Sequence, residues 1–201
     1  MSELAVLQAV RLKGRVSTAD LTATLGEDES SVAVTVEQLT ASGLLIGGAT
    51  LRITPEGRAR LGELLADERN GIDAAAFAVV YDDFRSVNGE FKALITDWQV
   101  RDGEANTHED TDYDAGVLAR LDSVHQRVLP IVAAAAGQLP RLNRYAAKLQ
   151  AAFERIKAGE TMWLSRPLID SYHTVWFELH EELILAAGRS RDVEAKAGGA
   201  G

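Results

Sequence analysis

Apolar residues recur along the first seventy positions in three short helical runs, each closed by a glycine. Leu4, Val6, Leu7, Val10 and Leu12 mark the first run, which stops at Gly14. Ser17 supplies a cap for the second, STADLTATLG, and Gly26 ends it. Asp28 caps the third, in which Val32, Val36 and Leu39 keep helical spacing until Gly43. Two short apolar stretches, 44–46 and 50–53, then flank Gly47-Gly48-Ala49 and predict a β-hairpin with a tight turn. Thr54-Pro55-Glu56 opens a further helix, with threonine at the cap and proline at the first helical position, where its missing N–H has no partner to lose.

After Gly71 the pattern changes to long helices without strand signals. Positions 72 to about 100 carry Ala76, Val79, Val80, Phe84, Val87, Phe91, Leu94, Ile95 and Trp98 on one broad apolar face. The polar segment RDGEANTHEDT reads as a loop. Helices follow over 113–136, bent at Pro130, over 141–158, with Leu142, Tyr145, Leu149, Ala152, Phe153 and Ile156 inward, and over 168–187, stopped by Gly188. Short turns between helices of similar length predict an antiparallel four-helix bundle. The expected fold class is mainly α. A winged helix-turn-helix domain with a small β-hairpin occupies 1–70, a helical bundle domain 71–190, and a disordered tail 191–201.

Composition narrows the function classes. With 201 residues and 46% hydrophobic side chains, the chain can bury a core. No apolar run approaches the ~20 residues that cross a bilayer, and no signal peptide is visible, so a soluble cytoplasmic protein without a membrane partner is expected. The absence of cysteine excludes disulfides, thiolate metal sites and a cysteine nucleophile. Lysine and arginine total 21 against 30 acidic residues, a net charge of −9. Residues 1–70 hold 7 basic and 10 acidic side chains (−3), and the remainder 14 and 20 (−6). Such a chain is repelled by nucleic acid unless its few cations gather on one face.

The stretch SSVAVTVEQLTASGLL, the hairpin and TPEGRARL resemble the third helix, wing and following helix of MarR-type winged-helix regulators, over about residues 3–65. The resemblance implies a homodimer that binds double-stranded DNA under the control of a small-molecule effector, with the third helix in the major groove. Ser30, Ser31 and Gln38 would then face DNA, joined by the cations Arg11, Lys13, Arg15 and Arg52, with Arg58 as a further candidate. Ala33 and Val34 also occupy groove-facing positions, and that helix contains no lysine or arginine. Glu27, Asp28, Glu29 and Glu37 bracket it, which suits the helix dipole but opposes phosphate. The same residues therefore allow a second reading, a winged helix that docks a protein through Val34 without DNA affinity.

The predicted bundle holds polar groups bordering its apolar faces. Asn88, Asp97, Trp98, His125, His173, Trp176 and His180 compose a candidate ligand pocket, aromatic walls with a few orienting polar groups. An alternative is a metal site. Asp122-x-x-His125 and Asp170-x-x-His173 each set a carboxylate and an imidazole on one helix face, with Glu90 and Glu154 as further donors. The residues require no cofactor. No nucleophile elbow, phosphate loop, dinucleotide fingerprint or HExxH occurs, and neighbours within one helix turn, as Asp170, Ser171 and His173 are, rarely offer triad geometry, so no enzyme is expected. The stretches AVRLKG, TDWQV and SYHTVWFELHE resemble, more distantly, the C-terminal appendage of actinobacterial phosphoenolpyruvate-utilising, dikinase-like proteins, which implies an accessory or regulatory module.

Overall fold

The computed structural model describes residues 2–189, and the tail expected over 191–201 lies outside them. The described residues are mainly helical, with eight α-helices and two two-stranded hairpins. They divide into two compact units between Ile72 and Asp73.

The first unit comprises α1 (Glu3–Lys13), α2 (Thr18–Leu25), α3 (Glu29–Ala41), β1 (Leu45–Ile46), β2 (Arg52–Ile53) and α4 (Pro55–Arg69). Each helix starts on a side-chain cap. Ser2, Ser17, Asp28 and Thr54 accept hydrogen bonds from first-turn backbone N–H groups that have no helical partner. Helix α1 is the centre of this unit. Every residue from Ala5 to Val10 is buried, including Gln8, whose Oε1 accepts a hydrogen bond from Arg11 Nε. Leu21, Leu25, Val32, Val36, Leu39, Leu61 and Leu65 complete the core. In the hairpin, Leu45 lies opposite Ile53 and Ile46 opposite Arg52. An antiparallel bridge joins Val16 to Leu51 and so sets Arg15 opposite Arg52.

The entry to α4 is locked to β1. Thr54 Oγ1 accepts from the Gly57 N–H at 2.9 Å and donates to the Gly43 carbonyl at 2.9 Å, while the Thr54 N–H bonds the Leu44 carbonyl. A β-carbon on Gly57 would stand 2.1 Å from the Leu44 oxygen. That approach is closer than any side chain tolerates, so glycine is required there by contact rather than by its backbone angles.

The second unit runs α5 (Ala74–Gln99), β3 (Val100–Arg101), β4 (Glu104–Ala105), α6 (Thr111–Gln138), a 3-10 turn (Pro140–Asn143), α7 (Arg144–Lys157), a second 3-10 turn (Thr161–Trp163) and α8 (Tyr172–Ala186). Four expectations are corrected here. The loop 101–111 contains a hairpin turned by Asp102 (φ 52°) and Gly103 (φ 85°), the left-handed pair that an Asp-Gly turn favours. The inward face of α5 begins with Phe77 and Tyr81, not with Ala76, Val79 and Val80; Val79 is exposed. Two large aromatic rings bury more apolar area than the smaller residues one position away. Residues 140–143 form a 3-10 turn rather than the start of an α-helix, because Pro140 opens it. The last helix starts at Tyr172, capped by Ser171, and Leu168 stands fully exposed in a left-handed conformation (φ 68°). No helix among the described residues is long and apolar enough to cross a membrane.

Gly57→Ala is expected to destabilise the chain by about 2 kcal/mol or more, since the clash is with backbone that cannot rotate away. Urea denaturation measures it, with Gly62→Ala, where an added carbon meets nothing, as the control.

Candidate functional site

Helix α3 displays Ser30, Ala33, Val34, Glu37 and Gln38 to solvent, while Val32, Thr35, Val36 and Leu39 face inward. Val34 is 53% exposed and Ile46, on β1, 46%. Ser30 Oγ bonds the Asp28 carboxylate, which also accepts from the Ser31 N–H. These bonds hold the Asp28 carboxyl below its usual range, so it is an anion at the helix start. Of the predicted cations, Arg15 and Arg52 are exposed register partners, whereas Arg11 is tied to Gln8. Among the described residues Arg15, Arg52 and Arg58 form no ion pair.

In the second unit, α5 and α8 face each other across a groove of about 210 Å³. It brings together four of the predicted ligand residues, Asn88, His173, Trp176 and His180. Their spacing explains this: positions 173, 176 and 180 repeat on one face of α8, as do 88, 91 and 95 on α5. Trp176 Nε1 donates to Asn88 Oδ1 at 2.8 Å, and its ring lies 4.3 Å from that of Phe91. Burial holds the His173 imidazole below its ordinary value, so it is neutral near pH 7. Lys92 also lines the groove and makes no ion pair among the described residues. Its role was not singled out from the sequence, where it looks like one more solvated lysine.

The other three predicted ligand residues lie elsewhere. Asp97 pairs with Arg120 on the exposed side of α5. The Trp98 ring lies tilted against that of His108, 4.4 Å between centroids, and lines a separate cavity. His125 is buried, with Nδ1 3.2 Å from Tyr172 Oη, Nε2 2.9 Å from Gln150 Oε1, and its ring stacked 4.1 Å from Phe153.

The alternative metal set is not assembled. Asp122 takes Lys157, Asp170 takes Lys148, and both nitrogens of His125 are engaged, leaving His173 in the groove. Glu90 and Glu154 likewise turn to Arg127 and Gln150. Among the described residues no group of three or more histidines and carboxylates is placed to hold a metal. Ser171 serves as the cap of α8.

One constellation escaped the sequence reading altogether. Glu178 and Glu182 are buried on α8, Glu182 completely. Arg141 Nη1 lies 2.7 Å and Arg144 Nη2 3.3 Å from the Glu182 carboxylate, which also accepts from Tyr145 Oη at 3.2 Å. Lys148 bridges Asp170 at 3.0 Å and Glu178 at 3.8 Å. Burial, and next the Glu182 charge, keep the Tyr145 phenol protonated far above its ordinary value. The signal was present as spacing: 141, 144 and 148 recur on one helical face, as do 178 and 182.

The chain matches no protein-family model, no curated protein and no solved structure.

Glu182→Gln removes the anion that two buried guanidiniums share and is expected to cost about 3 kcal/mol. The exposed pair partner Glu90→Gln is expected to change stability by less than about 1 kcal/mol, and parallel urea melts compare the two. His173 adds a pH dependence. Its depressed folded value means the unfolded chain takes up the proton first. Its contribution to stability is therefore complete above the unfolded imidazole value and is lost as pH falls below it. Replacement by glutamine should flatten that part of the stability–pH curve.

Proposed function

We propose that the chain is a non-enzymatic regulator: a winged helix that binds double-stranded DNA, followed by a four-helix bundle that carries a small-molecule effector groove. The observation that supports it most directly is the pairing of Arg15 with Arg52 across the Val16–Leu51 bridge. The element order α1-α2-α3-β1-β2-α4 is that of a winged helix-turn-helix, with α3 as the reading helix and the β1–β2 hairpin as the wing. In an acidic chain, exposed guanidiniums that neutralise no carboxylate are available to phosphates. The protein acts as a homodimer in this reading, since two half-sites double the small number of phosphate contacts that each copy offers. Effector binding between α5 and α8 biases the DNA-binding state.

A second reading rests on the exposed side of α3, which is apolar and acidic where DNA readers are polar and basic. Val34 on α3 and Ile46 on β1, both exposed, fit a protein partner, and the first unit is then a docking module of an accessory protein.

Fluorescence anisotropy with duplex DNA separates the two. The regulator predicts an affinity that falls steeply between roughly 50 and 200 mM salt, with log–log slope near −0.9 for each phosphate neutralised. Arg15→Glu and Arg52→Glu should each weaken binding and flatten that slope by about one. Absence of duplex binding near 50 mM salt rejects the regulator. Under the docking reading, Val34→Asp abolishes partner binding.

A further inference from the structure

Most of the described cations of the second unit are spent on a carboxylate. Arg85, Arg101, Arg120, Arg127, Arg155 and Lys157 pair at the surface, and Arg141, Arg144 and Lys148 in the core. Arg166 is different. The one polar contact of its side chain within the described residues is Met162 Sδ at 4.0 Å, and it lines a cavity of about 440 Å³ together with Trp98 at the end of α5, His108, and Thr161, Met162 and Ser165 in and after the 161–163 turn.

The same cavity is lined by a histidine built into place. His108 adopts φ 59°, a left-handed conformation that a non-glycine residue keeps only where its surroundings impose it. Its Nδ1 lies 2.9 Å from Asp114 Oδ2. Asn106 secures both ends of that contact: its Nδ2 donates to Asp114 Oδ1 and its Oδ1 accepts from the His108 N–H. The ring lies 4.4 Å from that of Trp98, tilted against it by 38°. A carboxylate held on Nδ1 fixes the tautomer and leaves Nε2, which makes no hydrogen bond among the described residues, as the working nitrogen. The hydroxyls of Thr161 and Ser165 also line the cavity and make no side-chain hydrogen bond there.

We propose that this cavity binds a small phosphomonoester, its phosphate held between His108 Nε2 and Arg166 with the Thr161 and Ser165 hydroxyls completing the cage. An imidazole, a guanidinium and two hydroxyl side chains on one lining suit a tetrahedral dianion better than a planar carboxylate, which offers only two oxygens. Asp114, which also lines the cavity, has its carboxylate engaged by His108 Nδ1 and Asn106 Nδ2. Trp98 and Met162 give the ester's organic part an apolar wall, and the volume lies within the usual range for small-ligand sites, roughly 300–1,000 Å³. The site is independent of whether the first unit binds DNA.

Histidine side-chain 15N NMR on the full chain tests this, with phenyl phosphate, inorganic phosphate and benzoate as probes. Phenyl phosphate is expected to shift the His108 ring nitrogens saturably and to bind more tightly than inorganic phosphate, with benzoate ineffective. Arg166→Gln and, read by calorimetry, His108→Gln should each weaken phenyl phosphate about tenfold. Lys92→Gln, in the other groove, should leave it unchanged. Both replaced side chains are substantially exposed, and circular dichroism confirms that each variant folds; Arg166→Gln alone suffices if His108→Gln does not. No saturable shift, equal binding of benzoate, or wild-type affinity in Arg166→Gln overturns the site. Phenyl phosphate binding no tighter than inorganic phosphate overturns the ester assignment.

Discussion

A carboxylate sealed from water stays ionised only when cations and donors enclose it, and Glu182 meets that condition through Arg141, Arg144 and Tyr145 at once. The requirement propagates through the second unit. Helix α8 is buried on most of its circumference, so its glutamates cannot reach solvent, and the 3-10 turn and α7 must present their basic face to it. With that side of α8 fixed by charge, its other side is free to pack aromatic rings. Trp176 meets Phe84 and Phe91 there, and the groove opens beside them. An apolar substitute for the network would be no less stable in principle, but it would not specify the rotation of α7 so narrowly.

Charge scarcity organises the surface as well. In a chain of net charge −9 many of the described basic side chains are drawn into ion pairs, which leaves the others available to an external anion. Arg15 and Arg52 adjoin the Val16–Leu51 bridge of the first unit, and Arg58 lies on α4. Lys92 and Arg166 each line a cavity. None of these positions stands out by residue type; only the pairing of their neighbours distinguishes them.

The sequence was most readable where local chemistry acts alone. Ser17, Asp28 and Thr54 announce their helices because a cap needs only its own first turn. Asp102-Gly103 carried an equally local hairpin signal, obscured by the polar residues around it. What periodicity could not deliver was the choice between adjacent apolar positions, as with Phe77 and Tyr81 over Ala76 and Val79, since that depends on which ring fills the facing core. The candidate groove was half legible: His173, Trp176 and His180 share a face of α8 by spacing and Asn88 faces them from α5, while Asp97, Trp98 and His125 were grouped with them only by chemical type. Buried glutamates were illegible because a carboxylate reads as solvent-facing until its cations are located on another helix.

Leu168 stands outside all these constraints. It is fully exposed, left-handed, and flanked by the exposed Arg166 and Pro167, in the segment that carries the chain from the 161–163 turn to α8. The backbone there contributes nothing to the core, whereas α8 contributes ionic and aromatic contacts on both sides. A peptide bond cut beside Leu168 would therefore leave the two fragments associated, and the second unit lends itself to split-protein reconstitution with α8 as the smaller piece.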